Sequence, residues 1–257
     1  MESSSTVASS LSDDELVELL AVMGSADTVE LKATITDTHH AAVVRALDMD
    51  PLEAQIRQVF FFDTPELALY GSGVVVRARR VQGRSDDTVI KLRPVDPEAL
   101  PDDLRASAAF GVEVDAMPGG RYVCSGSLKG VAKDVRGTIQ EGRPIRKLFS
   151  KEQRRLYTQH APAGLSLDDL SILGPIFVLK LRMEPEVLDH RLVTELWLYP
   201  DGSRILELSA KCLPAEGFQF AAQLRGYLHQ RGVDLTGAQE PKTRKALEFF
   251  SGQLTAS

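Results

Sequence analysis

Residues 177–183 (FVLKLRM) and 205–211 (ILELSAK) alternate apolar and charged positions, the period-two pattern of strands with one face against apolar neighbours. The same alternation marks 29–35 (VELKATI), 55–62 (QIRQVFFF), 73–81 (GVVVRARRV), 88–94 (TVIKLRP), 110–116 (FGVEVDA) and 192–199 (LVTELWLY). Taking the last strand back to Ser203 gives eight predicted strands, the final two flanking the hairpin-forming dipeptide Asp201–Gly202. Elsewhere the period becomes helical. Ser12 to Glu15 (SDDE) has capping-box form ahead of a stripe of Leu16, Leu19, Leu20 and Met23 that Gly24 ends. Residues 126–174 read as a helical insertion, with Leu128, Val131, Ala132, Val135 and Ile139 at helical spacing and 150–159 continuing in that style. Two further helices are expected at 215–231 and 240–250, split at Gly232. The Ser-rich residues 1–10 read as a disordered tail, and 11–257 as a single domain with no repeat and no long linker.

The polar faces of these strands are unusual. Residues two apart share a face, so Glu30 joins Lys32, Arg77 joins Arg79, Lys91 joins Arg93, Glu113 joins Asp115, and Lys180 joins Arg182. On the last hairpin Glu195 aligns with Trp197 and Tyr199, and Glu207 with Ser209 and Lys211. Eight of these side chains are basic and five acidic. Solvated faces on a plain β-sandwich are the simplest account of any one strand. Recurrence argues otherwise, because like charges side by side on a surface strand are unfavourable. A barrel with its charged faces turned inward accounts for both sides of every strand, the outer apolar faces packing on the helices. Burying such charge is costly unless water, ion pairs or a charged ligand compensate. A polyanion with a divalent cation does so: Lys and Arg take phosphoryl oxygens, and carboxylates take the hard cation. The fold class predicted is α+β, a barrel with a charged lumen surrounded by helices.

Composition narrows the partners. The formal charge of −6 argues against broad nucleic-acid binding, which needs an extended basic surface. Two cysteines, Cys124 and Cys212, without CxxC spacing suggest neither a disulfide framework nor a zinc site, and the five histidines form no HExxH pattern. No apolar run reaches membrane-spanning length and the start lacks signal-peptide character, so a cytoplasmic protein without membrane association is expected. Trp197 and Tyr199 read as packing residues in preference to a stacking platform, and Lys242, Arg244 and Lys245 as a solvated helix face.

In order along about residues 27–250, the motifs resemble the CYTH superfamily, also called triphosphate tunnel metalloenzymes. VELKATI resembles the opening ExExK strand, and QVFFFDTPELALYGSGVVVRARR the second and third strands. TVIKLRP, FGVEVD, FVLKLR, TELWLYPDGSRILELSAK and PKTRKALEF resemble the later strands and closing segment. The resemblance implies an eight-stranded antiparallel tunnel that holds a triphosphate-containing small molecule with Mg²⁺ or Mn²⁺. By position it implies that Lys32, Arg77, Arg79, Lys91, Arg93, Lys180, Arg182 and Lys211 bind phosphates. Glu30, Glu113, Asp115, Glu195 and Glu207 would be metal ligands, and Glu30, Lys32 and Glu113 would be catalytic. The implied activity is metal-dependent hydrolysis of inorganic triphosphate, thiamine triphosphate or a nucleoside triphosphate. Two positions depart from the family pattern: Thr28 and Ser209 stand where acidic residues are expected. Weaker metal binding follows, which would also suit a non-catalytic polyphosphate- or nucleotide-binding module. Adenylate cyclase activity of the class IV type is a third expectation.

Overall fold

A computed structural model describes residues 12–255 apart from 236, 238 and 240, so the predicted tail at 1–10 lies outside the described residues. Among the described residues nine strands form one closed barrel: β1 (Thr28–Ile35), β2 (Gln55–Asp63), β3 (Val74–Val81), β4 (Asp86–Leu92), β5 (Phe110–Ala116), β6 (Tyr122–Ala132), β7 (Ser171–Met183), β8 (Leu192–Leu198) and β9 (Arg204–Cys212). Their order around the wall is β1-β5-β6-β4-β3-β2-β7-β8-β9, closing back on β1.

The barrel is as expected, but its strand count and pairing differ from the eight-stranded antiparallel prediction. Every neighbouring pair is antiparallel except β1 and β5, where Thr28 faces Glu113 and Glu30 faces Asp115 in parallel register. An odd number of strands cannot alternate direction all the way around a closed wall, so one parallel seam is required. The extra strand is β6, so residues 126–132 are extended and not part of a helical insertion. β7 likewise starts at Ser171, before the predicted 177. Its Gly174–Pro175 reads as a breaker in sequence. In the barrel the register of β2 shifts between Val59 and Phe61 opposite it, and Gly174 lies so close that a Cβ would stand 2.8 Å from the Val59 carbonyl oxygen.

Among the described residues eight α-helices surround or close the barrel: α1 (Asp13–Gly24), α2 (His40–Ala46), α3 (Ala68–Gly71), α4 (Asp102–Arg105), α5 (Val135–Gln140), α6 (Lys151–His160), α7 (Gly217–Gln230) and α8 (Lys242–Thr255). The capping box at Ser12 and Glu15 starts α1, and a second at Ser150 and Gln153 starts α6. Of the predicted α1 stripe, Leu19 and Met23 are buried while Leu16 and Leu20 stay exposed. The outer apolar faces of β1, β5 and β9 pack on α1, α2 and α7 through Val29, Val114, Leu208, Met23, Val43 and Phe220. Those of β3, β4 and β6 pack on α5 and α6 through Val76, Ile90, Leu128, Val135 and Leu156. The C-terminal helix α8 does something different. Its Ala246, Leu247 and Phe250 pack with Phe61, Trp197, Tyr199 and Ile205, so Trp197 and Tyr199 are packing residues, as expected. Among the described residues no helix is long and apolar enough to cross a membrane.

Candidate functional site in the barrel lumen

The barrel encloses a cavity of about 1070 Å³, at the upper end of the roughly 300–1,000 Å³ spanned by small-molecule sites. Strand alternation dictates its lining. Glu30 and Lys32, Arg77 and Arg79, Lys91 and Arg93, Lys180 and Arg182, and Glu113, Glu195, Glu207 and Lys211 all contribute to the wall. Of the predicted set only Asp115 does not line the cavity; its side chain is fully buried.

The charges divide into two groups. At the parallel seam, Lys32 bridges Glu30 at 2.9 Å and Asp115 at 2.7 Å. Arg93 and Lys91 reach Asp115 at 3.0 and 3.6 Å, Lys211 pairs with Glu113, and Thr28 Oγ1 donates to Glu113 at 3.5 Å. Burial opposes ionisation of Glu30, but Lys32 and Lys211 bring its pKa down to about 2. Burial likewise opposes Asp115, which Lys32, Lys91 and Arg93 hold below the ordinary carboxylate value. Lys32 is raised despite burial by Glu30 and Asp115, whereas burial pushes Lys91 down to about 7 even beside Asp115.

The second group sits on β8 and β9. Glu195 accepts from Lys180 at 2.9 Å, Lys242 at 2.5 Å and Trp197 Nε1 at 3.2 Å, and Lys242 also reaches Glu207 at 2.6 Å. Burial disfavours the ionised forms of both partners here. Lys242 and Lys180 nevertheless hold Glu195 well below its ordinary value, and Glu195 and Glu207 raise Lys242. Of the five carboxylates expected as metal ligands, Glu195 and Glu207 form a separate, Lys-bridged pair. Among the described residues Glu30, Glu113 and Asp115 converge, their ligand oxygens all within 4.8 Å of one another, and this cluster could hold a metal ion.

Lys242 and Arg57 are lumen residues that escaped the sequence reading. Lys242 was expected on a solvated face; it is the first residue of α8 and enters the lumen because that helix closes one end of the barrel, while Arg244, which also lines the cavity, is exposed and pairs with Glu248. Arg57, its side chain 8% exposed, lines the cavity from β2. Arg77 and Arg182 have no ion-pair partner among the described residues. Burial, then Arg79, lowers Arg77 to about 9. Arg79 is held by Asp87 at 2.8 Å. The lumen thus keeps more cations than its carboxylates neutralise.

No family model matches the chain, and no curated protein matches it by sequence. Solved structures do. A candidate adenylate cyclase from Bacillus halodurans superposes with a TM-score of 0.60 at 11% identity, over 86% of this chain and 97% of that one. A candidate adenylyl cyclase from Hippeastrum, described as having a dominant triphosphatase activity, superposes at 0.57 with 15% identity, over 83% of this chain and 92% of that one. Likeness at such identities is likeness of fold. The chain shares the closed-barrel fold of these two structures, the kind of fold that the resemblance of its strand motifs led us to expect.

Proposed function

We propose that the protein binds the triphosphate group of a small molecule in the tunnel and hydrolyses it with Mg²⁺ or Mn²⁺. The observation that carries this reading is the unbalanced lumen. Arg77, which has no carboxylate within ion-pairing distance among the described residues, stands with Arg79, Lys91 and Arg93 on one wall, and a polyanion is the ligand such a wall lacks. The triphosphatase activity of the Hippeastrum neighbour supports the same chemistry. Glu30, Glu113 and Asp115 offer only carboxylate oxygens, the donor set that suits a hard divalent cation, and are the residues that would hold one. Such a cation, when bound, supplies charge neutralisation at the phosphoryl oxygens and activation of water.

The chain's own residues have definable tasks. Arg77, Arg79, Lys91 and Arg93 take the non-bridging oxygens and draw charge from the phosphates, the main requirement of phosphoryl transfer. Lys32 orients Glu30 and Asp115 through its two ion pairs. Lys211 on Glu113 is the half-exposed member of the cluster and the one free to exchange its carboxylate for a phosphate oxygen.

A second reading, a binding module without turnover, is favoured by Lys32 and Lys211 already occupying the carboxylates and by Thr28 and Ser209 in place of acids. One experiment separates the two. Product release from inorganic, thiamine and nucleoside triphosphates is measured with and without Mg²⁺ or Mn²⁺, beside the shift in melting temperature each ligand causes. Metal-dependent orthophosphate release, abolished in Glu113→Gln while triphosphate binding persists, is the result expected. Tight binding indifferent to metal and without turnover establishes the module instead. Pyrophosphate and cyclic AMP from ATP would make the protein a cyclase.

A further inference from the structure

The register of β2 brings Arg57 beside cations on both neighbouring strands. Val59, two residues on, is the partner of Arg79, and Gln55, two residues back, is the partner of Lys180. Arg57 therefore lies within diagonal cross-strand reach of both. Its Nε and Nη2 donate to Gln55 Oε1 at 3.1 and 2.8 Å. That acceptor is neutral, so it aims the guanidinium without cancelling its charge. The one carboxylate within ion-pairing distance among the described residues is Glu195, 4.0 Å from Nη1. Glu195 is already shared by Lys180, Lys242 and the Trp197 indole. Burial, then repulsion from Arg79, push the Arg57 pKa down to about 10. A nearly buried guanidinium with a neutral partner and a borrowed counter-charge is an expensive residue for a ligand-free protein to keep.

We propose that Arg57, aimed by Gln55, is a substrate-binding residue that takes a phosphoryl oxygen at the Arg79–Lys180 side of the lumen; this rests on the tunnel being a triphosphate site. The idea makes a prediction of two opposite signs. A structural arginine stabilises the protein whether or not ligand is present. An arginine kept for an anion destabilises the empty protein and strengthens the complex.

The test compares wild type, Arg57→Gln and Arg57→Lys, measuring the melting temperature without ligand and the dissociation constant of inorganic triphosphate by calorimetry, with and without Mg²⁺. Arg57→Gln is expected to melt about 3 °C or more above wild type when empty and to bind triphosphate about tenfold or more weakly. Arg57→Lys, which keeps the charge but loses the fork held by Gln55, is expected in between on both scales. An Arg57→Gln protein that melts lower, or fails to fold, makes Arg57 structural and overturns the proposal, as does unchanged triphosphate affinity. Those results leave the triphosphate reading standing, whereas a wild-type protein that binds no triphosphate removes both.

Discussion

Replacing Lys242 with Met removes a buried ammonium while keeping a side chain of similar reach. Glu195 and Glu207 are directly opposite one another on β8 and β9, with side chains 12% and 8% exposed. Lys242 bridges them at 2.5 and 2.6 Å. Without it Glu195 keeps Lys180, but Glu207 has no other ion-pair partner among the described residues. Two carboxylates about 5 Å apart at an effective dielectric of about 20 repel by roughly 3 kcal/mol. That agrees with the ~3–5 kcal/mol lost when one member of a buried ion pair is removed. Lys180 tempers the effect, so the expected loss is about 3 kcal/mol, or about 6–12 °C in melting temperature for a chain of this size. The pH dependence has a defined sign. Lys242 is raised above its ordinary 10.5, so its share of the stability is complete below that pH and is lost as pH rises through the raised value. Glu195 is held well below 4.5, so its share is present above 4.5 and is lost as pH falls beneath it. In Lys242→Met, Glu195 loses one of the cations that hold it ionised and gains a proton more readily, and the deficit against wild type shrinks between about pH 7 and about pH 5. Urea unfolding at the two pH values measures it, and Glu207→Gln in the Met background should recover much of the loss. A deficit below about 1 kcal/mol at neutral pH, or one that does not change with pH, would refute the reasoning.

Asp115→Asn withdraws the carboxylate shared by Lys32, Arg93 and Lys91 and should cost about 3–5 kcal/mol. Inorganic triphosphate should restore much of that loss, so the ligand-induced melting shift is larger than in wild type. Because Asp115 is held below its ordinary 3.8, its contribution is present above that pH and fades as pH falls below it, which melts across the acid range would detect. Gly130→Ala drives a Cβ to 2.5 Å from Gln153 Oε1, an atom fixed by Thr88 Oγ1 and the Ser150 amide. A loss of about 1–3 kcal/mol in urea unfolding is expected, with triphosphate affinity unchanged.

The inward charged faces were legible because period-two alternation sorts residues between lumen and exterior whatever the strand order. β6 was not. Gly126 and Gly130 weaken its strand signal, and Leu128, Val131, Ala132, Val135 and Ile139 imitate a helical stripe although the first three lie on a strand and the last two on α5. Arg57 was hidden by its own strand. Phe60 and Phe62 meet the outer core while Phe61 meets the lumen plug, so β2 is apolar on both faces and the alternation that would expose an inward arginine is blurred. Lys242 had no local signal at all, since its partners lie 47 and 35 residues earlier in the chain. Glu113 and Asp115 are equivalent by alternation. Only the closed barrel distinguishes the carboxylate on the wall from the one sealed behind Lys32 and Arg93.

These details share a physical consequence. The lumen carboxylates are paired: Glu30, Glu113 and Asp115 at the seam, Glu195 and Glu207 under Lys242. The shortfall falls on the cations: among the described residues Arg77 and Arg182 have no ion-pair partner and Arg57 borrows a shared carboxylate. Bulk salt screens exposed charges far better than enclosed ones, so this imbalance persists at physiological ionic strength. An anion entering the lumen relieves repulsion that already exists, and need not break the pairs that hold the wall together. On the proposed function, stability of the ligand-free barrel and affinity for a polyanion are set by the same side chains with opposite sign, so ligand-dependent melting would read the site more directly than turnover does.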